Sequence, residues 1–245
     1  MPVELLDYPH ADIRIVAHTM IEKMWRVKPM FKEPETVAWI DEYVQKDDVF
    51  YDIGANIGAY GFIAASRGAK VFAFEPEAMN FGRLVQNIGL NNNGENGLPP
   101  AGWDITAFPA ALWDRHELLK MWCRVAEPGG AMHKLGTPED PEKYPFQQDV
   151  LTIRLDDLDQ WDIPIPTHMK IDVDGYEDRV CWGGIILLQS PELKTVMIEI
   201  DHSAEGLTKT ITSAMQSALL YEKEHWHRSK ETWNHLFVRR ELLED

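Results

Sequence analysis

The stretch VFYDIGANIGAYGF, residues 49–62, decides the fold. Residues 49–53 are an apolar run broken only by Asp52, then Gly54, Asn56 and Gly58 alternate, and a helical pattern follows. An apolar run that turns through glycines into a helix reads as the first strand–turn–helix unit of a parallel sheet. Such a turn brings its backbone close to a ligand.

Working outward, a short strand is expected within residues 12–17 and a helix over PETVAWIDEYVQ, with Pro34 in its first turn. After the glycine turn, AYGFIAASRG predicts a helix stopped by Gly68, and AKVFAFEP a second strand ending at Glu75 and Pro76. EAMNFGRLVQNIGLN predicts a helix with Phe81, Leu84, Val85 and Ile88 on one side, and NNNGENGLPPAG a loop. WDITAFPAAL reads as the third strand, and ELLKMWC and DVLTIRL as two more. Between these last two, a Pro- and Gly-rich segment at about 124–149 predicts a long covering or binding loop. THMKIDVDGYE is a strand ending in acids, DRVCWGGIILLQS a helix weakened by Gly183 and Gly184, and LKTVMIEID the fifth main strand. A helix over GLTKTITSAMQSALL and a hairpin over EHWHRSKETWNHLFVRR complete the chain. This order gives an α/β class: a doubly wound, mostly parallel sheet with a C-terminal antiparallel hairpin. The 245 residues are expected to form one domain, 1–245, with a strand/helix extension over 1–45 and a core over 46–245. Asp52, Glu75, Ala111, Asp172 and Glu199 fall at strand carboxyl ends, where such sheets bind ligands.

Composition narrows the partners. The 44% hydrophobic content supplies a full core, and the formal net charge of −16 excludes broad nucleic-acid binding. Lys23, Arg26, Lys28 and Lys32 form a positive island, read as a solvated helix face or as a rim that attracts an anionic substrate. Cys123 and Cys181 lie in no CxxC pair, so neither a disulfide framework nor a cysteine-built zinc site is expected. The N-terminus lacks a basic start followed by an apolar run, and no window reaches the length of a membrane span. A cytoplasmic chain without membrane or nucleic-acid partners is expected, and no pattern sets an oligomeric state.

The turn discriminates between ligands. A dinucleotide fingerprint needs a central glycine against the pyrophosphate, where this chain has Asn56, and Asp52 at the mouth would repel phosphate. A P-loop lacks its Lys-Ser or Lys-Thr. A cation reverses the argument: S-adenosylmethionine carries a sulfonium and an ammonium and no phosphate. Asp52 is then expected to attract its amino-acid end, while Gly54, Ala55, Asn56 and Gly58 supply a closely approaching backbone. Glu75, followed by Pro76, closes the next strand and is expected to hold both ribose hydroxyls. Ala110 and Ala111 leave room for an adenine, with Trp113 beside them or in the core.

These residues carry a resemblance. VFYDIGANIGAYGFIAASRGAKVFAFEPEAMNFGRLVQNIGLN resembles the first half of the FkbM family of S-adenosylmethionine-dependent methyltransferases, and LTIRLDDL, MKIDVDGYEDRVCWGG and VMIEID resemble its second half. The EPE at 33–35 and WNHLFV near the end belong to the same likeness, which covers roughly residues 33–240. Asp174 stands where the family more often has Glu, and Tyr176 where a small residue is usual. The resemblance implies a Rossmann-like class I methyltransferase fold and O-methylation of a small molecule or glycan, such as a sugar or polyketide hydroxyl.

Methyl transfer needs the acceptor oxygen, methyl carbon and sulfur in line, and a hydroxyl acceptor benefits from a base. KIDVDGYE places Asp172 nearest the expected methyl group, as a cofactor or catalytic contact or as a helix cap. Asp174 is read as a helix cap, Glu177 as a first-turn acid and Lys170 as a buried partner of an acid. Glu199 and His202 follow the fifth strand, and His202 is the histidine placed to act as acceptor base. A divalent metal on Asp172, Glu199 and His202 suits these donor types without being required. His225 and His227 share a strand face and are read as exposed hairpin residues. The place after the fourth strand reads DVDGYE rather than the Asn/Asp-Pro-Pro-aromatic run of base amino-methylating enzymes. Two other readings stand beside the methyltransferase: a nicotinamide-dependent oxidoreductase, and a non-catalytic binding protein that retains the fold.

Overall fold

The computed structural model describes residues 2–93 and 100–243. In chain order its elements are β1 (Val3–Leu5), β2 (Arg14–Val16), a π-helical turn (Glu22–Arg26), α1 (Pro29–Lys32), α2 (Pro34–Tyr43), β3 (Val49–Ile53), α3 (Ala59–Ser66), β4 (Lys70–Phe74), α4 (Ala78–Asn92), β5 (Ile105–Phe108), β6 (Ala111–Trp113), β7 (Glu117–Cys123), β8 (Lys134–Leu135), β9 (Phe146–Arg154), β10 (His168–Ile171), α5 (Glu177–Gly183), β11 (Thr195–Asp201), α6 (Leu207–Ser217), β12 (Leu220–His227) and β13 (Thr232–Arg239). The central sheet has the order β12-β13-β11-β10-β3-β4-β5. Strands β11, β10, β3, β4 and the edge strand β5 run parallel, and β13 returns antiparallel between β11 and β12.

Strand alternation sorts the core into two layers. Phe50, Val71 and Ala73 join α2 and α3 residues Trp39, Ile40, Phe62 and Ile63 in one cluster. Their neighbours Tyr51, Ile53, Phe72 and Phe74 join Val180 of α5 and Ile211 and Met215 of α6 in the other. Burial of each such large side chain contributes about 1.5–3 kcal/mol, so a one-residue slip of β3 would lose several at once.

Four details differ from the sequence reading. The expected third strand is two strands, because Pro109 has no N–H to continue the ladder. β5 stays in the central sheet and β6 crosses into a second sheet ordered β6-β9-β7-β8. The segment at 124–149 contains β8 and the start of β9, which pairs with β7 from Cys123↔Phe146 onward. α4 turns a polar stripe inward: Asn80, Asn87 and Asn91 are buried, while Val85 is 47% exposed. Asn91 accepts from the Arg14 N–H and donates to the Arg14 carbonyl, as a neighbouring strand would, and Asn87 bridges the Val16 N–H and the Ile57 carbonyl. Of the loop expected at 91–102, residues 94–99 lie outside the described residues.

The fourth detail is that α5 stops at Gly183, short of the expected helix. A Cβ on Gly183 would lie 1.9 Å from the Trp113 carbonyl oxygen, so α5 rests directly on the β6 backbone. Helix propensity alone makes Gly183→Ala stabilising by about 1 kcal/mol. The overlap reverses the sign: urea unfolding of Gly183→Ala is expected to show a loss of about 2–4 kcal/mol, and a stability equal to or above wild type would contradict this packing.

Candidate active site

The turn after β3 is built around one absent side chain. Gly54 has φ +81°, and a Cβ on it would sit 1.8 Å from the carbonyl oxygen of Asp172. Only glycine lets the ends of β3 and β10 meet this closely, and that contact joins the two halves of the site. Asn56 also takes a positive φ, +51°, and Gly58 opens α3 at φ +99°.

Asp52 lies beneath this turn, not at its mouth. Its Oδ2 accepts the Gly61 N–H at 3.0 Å, and its side chain does not line the cavity. Burial pushes its carboxyl up to about 6 despite the nearby Lys170 charge. The expectation that Asp52 meets a ligand directly is therefore corrected. It ties α3 to β3, because a buried carboxylate needs hydrogen-bond donors and the first turn of a helix offers them.

Above the turn lies a cavity of about 720 Å³, lined by Gly54, Asn56, Glu75, Pro76, Ala110, Ala111, Trp113, Asp172, Asp174, Glu199 and Arg228 among others. Glu75 stands at the end of β4. Its two carboxylate oxygens accept the N–H groups of Asn56 and Glu77, both at 2.8 Å. Burial pushes its carboxyl up to about 8. Ala55 lines a side crevice next to the cavity, and Gly58 lines neither.

The segment after β7 covers the cavity and is fastened on both sides. The Gly130 carbonyl accepts from Asn56 Nδ2 at 2.7 Å and Asn80 Nδ2 at 3.1 Å, and the Gly129 N–H donates to Asn80 Oδ1. Across the cavity, Asp174 accepts the Met132 N–H at 2.6 Å, and the Tyr176 hydroxyl donates to the Leu135 carbonyl. Asp174, expected as a helix cap, therefore holds the cover. Glu177 holds the turn instead: it is buried, accepts the N–H groups of Val173 and Gly175, and is pushed by burial up to about 7. The positive island divides. Arg26 and Lys32 line the cavity, Arg26 donating to the Gly129 carbonyl, while Lys23 and Lys28 are exposed.

At the far end Glu33, Asp172 and Glu199 bring carboxylate oxygens within 4.8 Å of one another. Their charges are unequal. Burial opposes ionisation of Glu33, but Lys32, Lys170 and Arg228 outweigh it and hold Glu33 well below the usual range. Burial also opposes Asp172, yet Lys170, whose Nζ donates to Asp172 Oδ2 at 2.7 Å, keeps it low. Glu199 has burial and then the Asp172 and Glu33 charges against it, and its carboxyl is pushed well above the usual range. With both neighbours ionised, Glu199 is the weakest acid of the three.

His202 does not join this cluster. Its ring packs on Trp233 at 4.2 Å and its Nε2 lies 2.9 Å from His235 Nε2, on the hairpin and away from the cavity lining. Glu33, from the loop before α2, occupies the third place that the sequence reading gave to His202. The sequence signal for Glu33 was the EPE at 33–35; no signal marked Gly130 or Arg228.

The comparisons agree with this architecture. Residues 52–244 match the methyltransferase FkbM domain. The hexuronic acid methyltransferase AglP of Haloferax volcanii is 28% identical over 202 residues, covering 80% of this chain and 75% of that protein. The solved methyltransferase FkbM from Methylobacillus flagellatus KT superposes with TM-score 0.53 at 16% identity over 78% of this chain; the chain spans 44% of that protein's length. Magnesium protoporphyrin IX methyltransferase from Synechocystis PCC 6803, solved with bound SAM, gives TM-score 0.50 at 11% identity, covering 91% of this chain and 86% of that one. The two structural likenesses concern the fold; the match along nearly the whole core, from the Asp52 turn through the C-terminal hairpin, makes this chain a member of the FkbM methyltransferase family.

Proposed function

We propose that this chain, acting as one domain, is an S-adenosylmethionine-dependent O-methyltransferase whose acceptor is a hydroxyl of a glycan or other small molecule, an acidic sugar first among them. The observation that carries the reading is the single cavity joining Glu75, at the nucleoside end, to Asp172 and Glu199 of the acidic cluster at the other. The hexuronic acid in the name of the Haloferax volcanii relative supports an acidic acceptor, as do Arg26, Lys32 and Arg228 along the cavity of an acidic chain.

The residues present fit the cofactor. Gly54 offers backbone without a Cβ. Each Glu75 oxygen holds one N–H and keeps a lone pair for a ribose hydroxyl. Ala110 and Ala111 are small, and Trp113 lines the cavity with an indole N–H that has no partner among the described residues. Bound there, the cofactor supplies an electrophilic methyl group on a sulfonium. Asp172, ionised by Lys170, offers the negative charge that a sulfonium end favours. Glu199 takes the acceptor hydroxyl proton on a carboxylate oxygen, since a base with a raised pKa is matched to a weakly acidic donor near neutral pH. Asn56, Asn80 and Asp174 hold the cover closed against water.

Two measurements test this. Isothermal titration with S-adenosylhomocysteine, with NAD as control, is expected to show binding of the adenosyl ligand alone. Ribose hydroxyls donate to the ionised form of Glu75, whose carboxyl sits at about 8 before ligand binds. Affinity should therefore rise with pH, by at most about tenfold per unit, up to about 8 and then level. Glu75→Gln should bind weakly and without that slope. Binding of NAD alone, or an unchanged Glu75→Gln, would overturn the cofactor assignment. For the base, Glu199→Gln is expected to lower kcat on a hexuronic acid acceptor by about 10²–10⁴-fold. It should also remove a rising limb that lies above the ordinary carboxylate range, because the active form is deprotonated and its pKa is raised. A pH–rate profile that superposes on wild type would remove Glu199 from the reaction.

A further inference from the structure

The C-terminal hairpin carries a second cluster of ligand-type side chains, separate from the cavity. Glu222 and His225 are three residues apart on β12, so strand alternation alone would put them on opposite faces. The ladder pairs Glu222 with Phe237, Glu224 with Leu236 and His225 with His235, with a register shift between Glu222 and Glu224. The one extra residue restores parity and brings Glu222 and His225 onto the face that carries His235. Bulges are a device for re-aiming a side chain in this way.

Two ring nitrogens then converge on one oxygen. Glu222 Oε1 lies 2.7 Å from His225 Nδ1 and 3.0 Å from His235 Nδ1. One ligand atom from each of the three residues falls within 4.8 Å of the others. The outer shell is also in place. His235 Nε2 faces His202 Nε2 at 2.9 Å, and His202 Nδ1 faces the Thr208 hydroxyl at 3.3 Å. Two ring nitrogens that close cannot both carry protons, so one donates to the other. When His235 Nε2–H is the donor of a neutral ring, its Nδ1 lone pair points at a carboxylate oxygen. That lone pair is open to a metal ion in this tautomer, whereas in the other one Nδ1–H donates to Glu222. A metal ligand whose other ring nitrogen is fixed by a hydrogen bond is the usual second-shell arrangement.

We propose that Glu222, His225 and His235 form a binding site for a divalent transition-metal ion of the Zn²⁺ class, which staples β12 to β13. Two imidazoles and one carboxylate suit Zn²⁺ rather than Mg²⁺ or Ca²⁺, and a water completes a tetrahedron. Ligand atoms about 2.0–2.2 Å from such an ion stand roughly 3.3–3.5 Å apart, about 0.3–0.8 Å wider than the contacts here. Glu222 and His225 are exposed and free to open by that amount, while His235 is buried and fixed. The site has a structural consequence for the cavity. The same hairpin carries Arg228, whose guanidinium pairs with Glu33 at 3.3 Å and approaches Glu199 at 3.9 Å.

The test uses the full chain, free of any histidine tag and stripped of metal, titrated with Zn²⁺ by calorimetry and with Co²⁺ by visible absorption. The expected result is one equivalent bound, tetrahedral Co²⁺ absorption, and a rise in Tm with Zn²⁺. Glu222→Gln and His225→Asn, both at exposed positions, should each weaken binding by more than about tenfold and lose the Tm rise, while unfolding like wild type without metal. No binding by the wild-type chain would overturn the site. Undiminished binding in both variants would overturn it equally, by assigning the ion to other residues.

Discussion

One buried cation organises this molecule. Lys170 is 3% exposed in the middle of β10, directly opposite Asp52 on β3. An ammonium in such a place would lose its proton unless compensated. Burial does act against it, but the charges of Asp172, Glu33 and Asp52 more than reverse the effect and hold Lys170 firmly protonated. Its Nζ also lies over the Tyr60 ring at 4.8 Å. These partners come from β10, β3, the loop before α2, and α3, so one charge draws four segments to one point. Removing it would leave buried carboxylates uncompensated, which costs far more than a surface ion pair is worth.

The same contact explains why the cavity lies where it does. Lys170 and Asp52 bring β10 and β3 together below the turn, and the missing Cβ of Gly54 lets their ends touch above it. Glu75 and the acidic cluster are then two sides of one backbone crossing. The cover is fitted to this crossing by amide side chains. Asn56 and Asn80 share the Gly130 carbonyl, so the loop over the cavity and the turn under it are positioned by the same atom. Asp174 and Tyr176 both tie that cover to the β10 end. A small residue at 176 could not reach the Leu135 carbonyl.

How far the sequence revealed this depended on distance along the chain. The Asp52–Gly58 turn and Glu75 were legible because their spacing is local and their chemistry is fixed by backbone geometry. The parallel sheet followed from alternating strand and helix patterns, and the split at Pro109 was in principle legible from the missing donor. Asp52 was placed correctly in the chain but given a ligand contact, since sequence cannot tell a carboxylate under a turn from one at its mouth. His202 failed for a similar reason. A histidine after a strand end has two faces to choose between, and Trp233 with His235, more than thirty residues away, decided it. Glu33, Gly130 and Arg228 reach the site only through tertiary contacts, and the inward asparagine stripe of α4 inverted a hydrophobic-periodicity argument because those amides replace a strand's hydrogen bonds.

The three clustered carboxylates, Glu33, Asp172 and Glu199, show how one residue type acquires different acidities without different chemistry. Glu33 lies against Lys32 and Arg228, and Asp172 against Lys170, so each has a cation within hydrogen-bond or ion-pair reach. Among the described residues the one ion-pair contact of Glu199 is the long 3.9 Å approach of Arg228, and the two ionised neighbours act on it as repulsion that outweighs the more distant Lys32 and Lys170 charges. The unequal distribution of cations therefore fixes which acid is the weakest. A bound sulfonium would add positive charge beside Asp172 and stabilise the anions further. An acceptor carboxylate entering past Arg26 would do the opposite, raising the pKa of Glu199 unless Arg26 met it. Arg26 is suited to meeting that charge, because its Nε–H is held by the neutral Gly129 carbonyl, a contact that fixes the side chain without neutralising it.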